Sequence, residues 1–428
     1  MSAADSAPRP AEGQLAGRRA MLVFGAFALA YFLSTLLRAI TATLSPTLTQ
    51  EFALDAGSLG LLAGGYFLGF AFTQLPLGRW LDRHGPRRVE LWFLVIAVGG
   101  CLLFSVARSF EVLLLARVLT GVGVSACLMA ALVAYRRWFS PAQQLRSNSW
   151  LLMVGSFGVV TASLPVQWLL PLTGWRPLFW MLAAGVLVSM AVIAWAVPVW
   201  RATGAEPSTS AAPPLPDHGG YAQVWRAPFF RSVVPVGFFL NGGFTAMQTL
   251  WVVPWLRYVA GYSAGEAAQG LFVVSLAVLV SYWAWGVVNP WLNRNGWPAT
   301  RVLAVWLPLS LAALAAIVIV GPAAGTAMWV LYCVTATTVS LTQPAAAMAM
   351  PVALAGRTLS AYNLVVFVGI FCVQWGVGLL IDLWQTLGWG QVAAYQLSFG
   401  VFWVLCVFAY GFFLWARPYH RLASASAA

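Results

Sequence analysis

The sequence predicts an all-α integral membrane protein with twelve transmembrane helices, arranged as two pseudo-symmetric six-helix bundles. Three observations predict it. Of 428 residues, 61% are hydrophobic and only 8% charged, far too little charge for a soluble chain of this length. Apolar stretches of helical length recur from one end to the other. The arginines fall almost entirely on one side of those stretches.

The hydrocarbon core of a bilayer is about 30 Å thick and takes roughly 20 apolar residues of helix to cross. Stretches of that kind run over 20–45, 57–79, 89–107, 111–135, 148–171, 178–200, 232–256, 267–289, 300–320, 325–350, 360–382 and 392–416. They are unbroken and rich in Leu, Ala, Val and Gly, without the polar alternation of barrel strands. The first is too long for the core of a secretory signal and lacks a convincing cleavage site after it, so it reads as helix 1. Cys101, Cys127, Cys333, Cys372 and Cys406 all fall inside apolar stretches with no paired spacing, which reads as small apolar side chains. No metal site and no cofactor are expected.

The formal net charge is +12, and every basic residue is Arg. Such an excess can mark a nucleic-acid binder, but the positions argue otherwise. With the N-terminus in the cytoplasm and strict alternation, Arg38 and Arg117 lie within spans, and of the other arginines only Arg108, Arg176 and Arg257 fall outside. The rest lie inside, which is the positive-inside asymmetry. The charge is topological. It implies a multi-pass protein of a bacterial inner membrane with both termini cytoplasmic. The expected partners are the lipid bilayer and a small-molecule solute, with no nucleic acid, and the expected state is a monomer.

Residues 1–19 read as a cytoplasmic tail, 20–200 as the first bundle, 201–227 as a Pro-, Ser- and Ala-containing linker, 228–416 as the second bundle and 417–428 as a second tail. The halves resemble each other. Arg83 recurs as Arg294, Arg146 as Arg357 and Gly158 as Gly369, each at an offset of 211, while Gln167-Trp168 recurs as Gln374-Trp375 at 207. Matches in one order at nearly one offset imply a duplicated six-helix unit, whose halves would place a solute site between them near the midplane.

Between helices 2 and 3 lies Gly78-Arg79-Trp80-Leu81-Asp82-Arg83-His84-Gly85-Pro86-Arg87-Arg88. It resembles the signature cytoplasmic loop of the major facilitator superfamily, with Pro86 where a basic residue is usual. Helix 4 carries Arg117-x-x-x-Gly121-x-Gly123, which also resembles a pattern of that family. The resemblance covers essentially the whole chain and implies a transporter working by alternating access, with Arg117, Gly121 and Gly123 in a coupling or structural role. It further implies that Asp82 latches against the N-terminus of helix 11, which here carries Arg357, making Gly78, Asp82, Arg83, Gly85 and Arg357 the gating set. Gly78 would allow close approach of a neighbouring helix, and Gly85 the tight turn.

None of the acidic residues lies clearly in mid-span, and the three histidines lie in cytoplasmic segments, so a carboxylate proton relay is not expected. Arg38 and Arg117 do lie in the spans, ~12 Å and ~9 Å from their outer ends. Each costs at least ~2.5–3.5 kcal/mol to insert, so each needs a function or a partner. Arg117 is expected to pack helices or to couple. Arg38 is expected to bind an anionic solute, since organic-anion members of the family carry an Arg near this place. Helix 7 lacks the second Arg of the organic-phosphate exchangers, which argues against phosphate exchange. Its polar residues Asn241 and Gln248, with Trp251 one turn on and Tyr31 of helix 1, complete the expected solute site; Gln167 and Gln374 are expected to pack.

The leading function is transport of a small organic anion, secondary active or facilitative, with cotransport, exchange and uniport left open. Efflux of drugs or metabolites is the alternative, and a transporter-shaped sensor the alternative of another class. No Ser/His/Asp set, metal-ligand spacing or phosphate loop points to an enzyme.

Overall fold

A computed structural model describes Leu15 and residues 17–199 and 220–416. Most of both expected tails and residues 201–219 of the expected linker lie outside the described residues. The described residues form helices and turns, without strands.

Ten helices are long and apolar enough to cross a bilayer, and a bent pair makes eleven. In chain order, α1 is Gly17–Phe52, α2 Ala56–His84, α3 Pro86–Val106 and α4 Phe110–Trp138. The bent pair is α5, Pro141–Thr161 followed by Leu164–Thr173 at 46°. Then come α6 (Trp175–Ala196), α7 (Pro228–Tyr258), α8 (Ala264–Arg294) and α9 (Ala299–Val320). The tenth expected span, α10, is built in three pieces, Thr326–Ala336, a 3-10 turn over Thr337–Leu341, and Thr342–Met348. The last two are α11 (Val352–Thr386) and α12 (Gln391–Trp415).

The twelve expected segments therefore each find a helical counterpart. Most helices outrun their expected apolar stretches because polar residues continue the helix into the interfaces. α6 falls furthest short and stops four residues before the expected 200, at Ala196, and α10 ends two residues before the expected 350, at Met348. Seven residues at the end of the expected linker, Gly220–Arg226, are helical and pack against α11.

The breaks have local causes. Ser140 and Gln143 form a reciprocal cap at the start of α5. Its bend falls at Ala162–Ser163, just before Pro165, which cannot donate a backbone hydrogen bond. α4 is interrupted at Ser125–Ala126, two residues past Gly123. α7 widens into π-helical turns at Val236–Gly242 and Met247–Trp251. Such turns recur at functional sites.

α1 packs on α4, α5 and α6 of its own half and on α7 of the other. The halves also meet where α2 runs along α11 and α5 along α8. The outer surface is apolar: Phe72, Trp195, Phe408 and Trp415 are each more than 70% exposed, which suits lipid and not water. The first turn of α3 carries Arg87 and Arg88 and the last turn of α4 carries Arg136 and Arg137, so that side is called the arginine-rich face.

The duplication read from offsets has a structural counterpart. A side chain at Gly158 on α5 would collide with the Phe32 carbonyl of α1, and one at Gly369 on α11 with the Phe238 carbonyl of α7. The two glycines separated by 211 thus seat equivalent helices on equivalent partners.

Gly121 and Gly123 do the same within the first half. A Cβ at Gly121 would meet the Tyr66 carbonyl of α2, and one at Gly123 the Ala97 backbone of α3. Gly121→Ala is expected to lower thermal stability in detergent by about 1–3 kcal/mol or more, the scale of overpacking. Gly99→Ala, where a Cβ meets nothing within 4 Å, should be near neutral in the same melting experiment.

Candidate solute site and gate

Arg38 lies in the interior of α1, only partly buried, and its Nε is buried without a hydrogen-bond partner among the described residues. Its charge reaches three tyrosines: Tyr31 on α1, Tyr66 on α2 and Tyr282 on α8. Tyr31 and Arg38 are two turns apart and share a helix face. Tyr282 belongs to the other half of the chain and is 39% exposed although it lies in mid-helix. An unpaired guanidinium beside phenol hydroxyls can bind a carboxylate or sulfonate through paired donors. Tyr66 and Tyr282 were not anticipated from the sequence. A tyrosine in an apolar helix looks like bulk unless its neighbours across space are known.

Arg117 is different. It is 1% exposed, its Nη1 donates to the Leu37 carbonyl at 2.9 Å, and its guanidinium lies 5.1 Å over the Tyr66 ring. It ties α4 to α1 and α2, a packing role that also sets it one residue from Arg38 along α1.

On α7 the π-turns carry the expected polar residues. Asn241 is partly buried and faces the Tyr362 hydroxyl of α11, together with Thr342 of α10. Gln248 is 9% exposed and lies in the second π-turn, which touches α1. Trp251 corrects the sequence reading. It is fully buried and packs edge-on against Tyr395 and Phe399 of α12, so it is part of the aromatic core of the second half. Gln374 donates to Thr249 at 3.0 Å, the packing contact expected of it.

The halves are joined along α2 and α11. Asp382 near the end of α11 accepts the Ala56 amide at 2.9 Å and the Gly57 amide at 2.6 Å, capping the first turn of α2. Unpaired amides and the helix dipole make that turn a natural seat for a carboxylate. Asp55 caps the same turn from within α2, accepting Ser58 at 2.7 Å. Below the cap the helices touch through glycine. A Cβ at Gly60 would strike the Gln374 carbonyl, one at Gly378 the Ala56 carbonyl, and one at Gly64 the Phe371 ring at 2.9 Å. Further along, Phe70 and Phe367 stack at 4.4 Å.

Gly78 has nothing within 4 Å of where its Cβ would be, so the close approach expected there is absent in this conformation. Gly85 has φ 77° and its amide closes on the Leu81 carbonyl, forming the tight turn expected. Asp82 and Arg83 are exposed, and the charge that reaches Asp82 is that of Arg136 on α4. Arg357 is partly buried in the first turns of α11. The carboxylate that holds α2 to α11 here is therefore Asp382 on the arginine-poor face, not Asp82 on the arginine-rich one. The same arginine-poor face carries an ion pair, Arg176 with Glu51 at 2.7 Å, and Glu51 also accepts the Trp175 indole at 2.7 Å.

Glu90, in the second turn of α3 and so not in mid-span, is fully buried and neither oxygen has a hydrogen bond of ordinary geometry. Among the described residues no group of His, Cys, Asp and Glu is arranged to hold a metal ion.

The sequence profile of the Major Facilitator Superfamily matches residues 27–373. A protein of Escherichia coli K12 described as a probable L-galactonate transporter is 24% identical over 66% of this chain and 64% of its own length. The 4-hydroxybenzoate transporter PcaK of Pseudomonas aeruginosa is 33% identical over 36% of this chain and 34% of its own. A probable sulfoacetate transporter, SauU of Cupriavidus necator, is 24% identical over 38% of each. The chain thus spans less than two thirds of the length of these relatives. Among solved structures, an inward-facing, unoccupied bacterial homolog of the human lysosomal transporter Spinster superposes with a TM-score of 0.75 at 18% identity, over 95% of this chain and 99% of that one. The nucleoside transporter NupG superposes at 0.70 with 13% identity, over 94% and 99%. At these identities the likeness speaks for the fold alone. With the profile covering most of its length, the chain belongs to the Major Facilitator Superfamily.

Proposed function

We propose that this protein carries a small organic anion across a bacterial inner membrane by alternating access, as a monomer with both termini in the cytoplasm. The observation that carries the reading is Arg38, a guanidinium inside the membrane whose Nε has no protein partner, set among tyrosines of α1, α2 and α8. A cation so expensive to insert is retained where an anion completes it. Asn241 and Gln248 on the π-turns of α7 supply donors and acceptors for hydroxyl or ring substituents. The relatives whose names specify organic solutes specify anions: galactonate, 4-hydroxybenzoate and sulfoacetate.

The gate in this reading has two ends. Asp382 of α11, capping α2, closes the arginine-poor face. Asp82, with Gly78, Arg83, Gly85 and Arg357, closes the opposite face in the alternate state, when Gly78 meets a neighbour. Each latch is a few hydrogen bonds at a helix terminus, weak enough to break in every cycle.

Purified protein screened by thermal shift with L-galactonate, 4-hydroxybenzoate, sulfoacetate, a neutral sugar and a lipophilic cation tests the solute class. Anions should raise the melting temperature, a ligand at 100 times its Kd adding about 2.7 kcal/mol. The shift should vanish in Arg38→Ala and persist in Trp251→Phe. Stabilisation by the cation alone, unchanged in Arg38→Ala, would contradict the reading and favour efflux.

Asp382→Ala strips two amides of a charged partner. It should cost about 1.5–3 kcal/mol of stability in the ligand-free protein. It should also expose Ser58→Cys to a membrane-impermeant thiol reagent applied to the arginine-poor face. Unchanged stability with no gain in labelling would remove Asp382 from the gate.

A further inference from the structure

Two irregular stretches of the second half lie against each other. α7 carries its first π-turn at Val236–Gly242, and α10 its 3-10 turn at Thr337–Leu341. α11 packs on the π-turn and on Thr342–Met348, the piece of α10 that follows. Inside a membrane, irregular backbone is tolerated where it is buried in protein or lines a water-filled cavity.

Neutral polar side chains of all three helices converge there. Asn241 belongs to the π-turn, Thr342 and Gln343 follow the 3-10 turn directly, and Tyr362 and Asn363 come from α11. Gln343 Nε2 donates to Asn363 Oδ1 at 2.7 Å, joining α10 to α11. Tyr362 is fully buried and faces Asn241 and Thr342. Its ring is held against Gly237, where a Cβ would lie 2.9 Å from it.

The cluster does not satisfy itself. Among the described residues, the hydroxyls of Tyr362 and Thr342 are buried without a hydrogen bond of ordinary geometry. The Gln343–Asn363 bond engages one amide group of each side chain and leaves the Gln343 carbonyl and the Asn363 nitrogen for other partners. Asn241, Gln343 and Asn363 are partly exposed although they lie within spans. An amide turned to hydrocarbon is costly, so that exposure is to a cavity. None of the five carries a charge. An alcohol donates and accepts at one oxygen, and amides and phenols answer both demands without burying an ion. An apolar solute would leave the Tyr362 and Thr342 hydroxyls unpaired, and an anionic group would meet no cation among these five side chains.

We propose that this cluster reads hydroxyl groups and that the solute is a polyhydroxylated acid, its carboxylate on Arg38 and its hydroxyls on Asn241, Tyr362, Gln343 and Asn363. The carboxylate end rests on the function proposed above; the hydroxyl end rests on the cluster alone. Gln248 links the two ends. It lies ~10 Å along α7 from Asn241, in the π-turn that touches α1.

Binding of matched six-carbon compounds to purified protein tests this: L-galactonate, hexanoate, which keeps the carboxylate and lacks the hydroxyls, and galactitol, which keeps the hydroxyls and lacks the charge. L-Galactonate should bind at least about tenfold tighter than hexanoate, since a site made for hydroxyls is left with unpaired groups by the bare chain. Tyr362→Phe keeps the ring on Gly237 and removes only the hydroxyl. It should weaken L-galactonate several-fold and leave hexanoate unchanged, whereas a purely structural role would move both or neither. Asn363→Leu should do the same, with Tyr362→Phe carrying the test if the leucine variant fails to fold. Equal binding of L-galactonate and hexanoate would overturn the cluster and leave Arg38 in place. Binding of galactitol with no binding of either anion would overturn the Arg38 end and the acid. No binding of any hydroxylated compound would overturn the proposal whole.

Discussion

The contact between α2 and α11 is the constraint on which the rest of the structure depends. Two long helices from opposite halves approach until backbone meets backbone at Gly60 and Gly378, with Gly64 against the Phe371 ring, and Asp382 then finishes the first turn of α2. In lipid there is no hydrophobic force to bring helices together, so close packing and satisfied polar groups have to do it. The glycine contacts and the Asp382 cap lie toward the arginine-poor end, and the Phe70–Phe367 ring pair follows; Gly78 meets no neighbour and Asp82 is exposed.

Several interior polar groups tie helices together. Arg117, Gln374 and Trp285 are bonded to carbonyls or hydroxyls of neighbouring helices, with Trp285 donating to Thr337 at 3.0 Å, although Arg117 Nε and Nη2 are buried without a hydrogen bond. The Nε of Arg38 and the oxygens of Glu90 lack hydrogen bonds as well, and both residues lie in the first bundle.

Much of the fold was legible in the sequence, because the bilayer demands long apolar helices and the arginines mark one face. The 211-residue offset located Gly158 and Gly369 as equivalent, and both seat one helix on another. Gly85 was legible from its loop. The site was legible in part. An arginine in a span stands out, so the sequence singles out Arg38 and Arg117, the latter to pack helices or to couple. Tyr66, Tyr282 and Asp382 were not found as partners, because their meaning lies in which helix faces which. Trp251 was placed in the solute site and lies in an aromatic core. Position along a helix gives depth, but only packing tells whether a side chain turns inward to a protein core or outward to water or a cavity.

The seam can be measured directly. Spin labels at Ala53 and Leu387, exposed at the ends of α1 and α11 on the arginine-poor face, and at Trp80 and Gly356 on the arginine-rich face, report its two ends by pulsed electron resonance in a cysteine-free background. The account predicts that the ligand-free protein is dominated by a short, narrow distance at the first pair and a long one at the second. It predicts that Asp382→Ala broadens the first distribution and shortens the second. Distributions that are alike at both faces, or a first pair indifferent to Asp382, would contradict the claim that this carboxylate and the glycine seam set the state of the molecule.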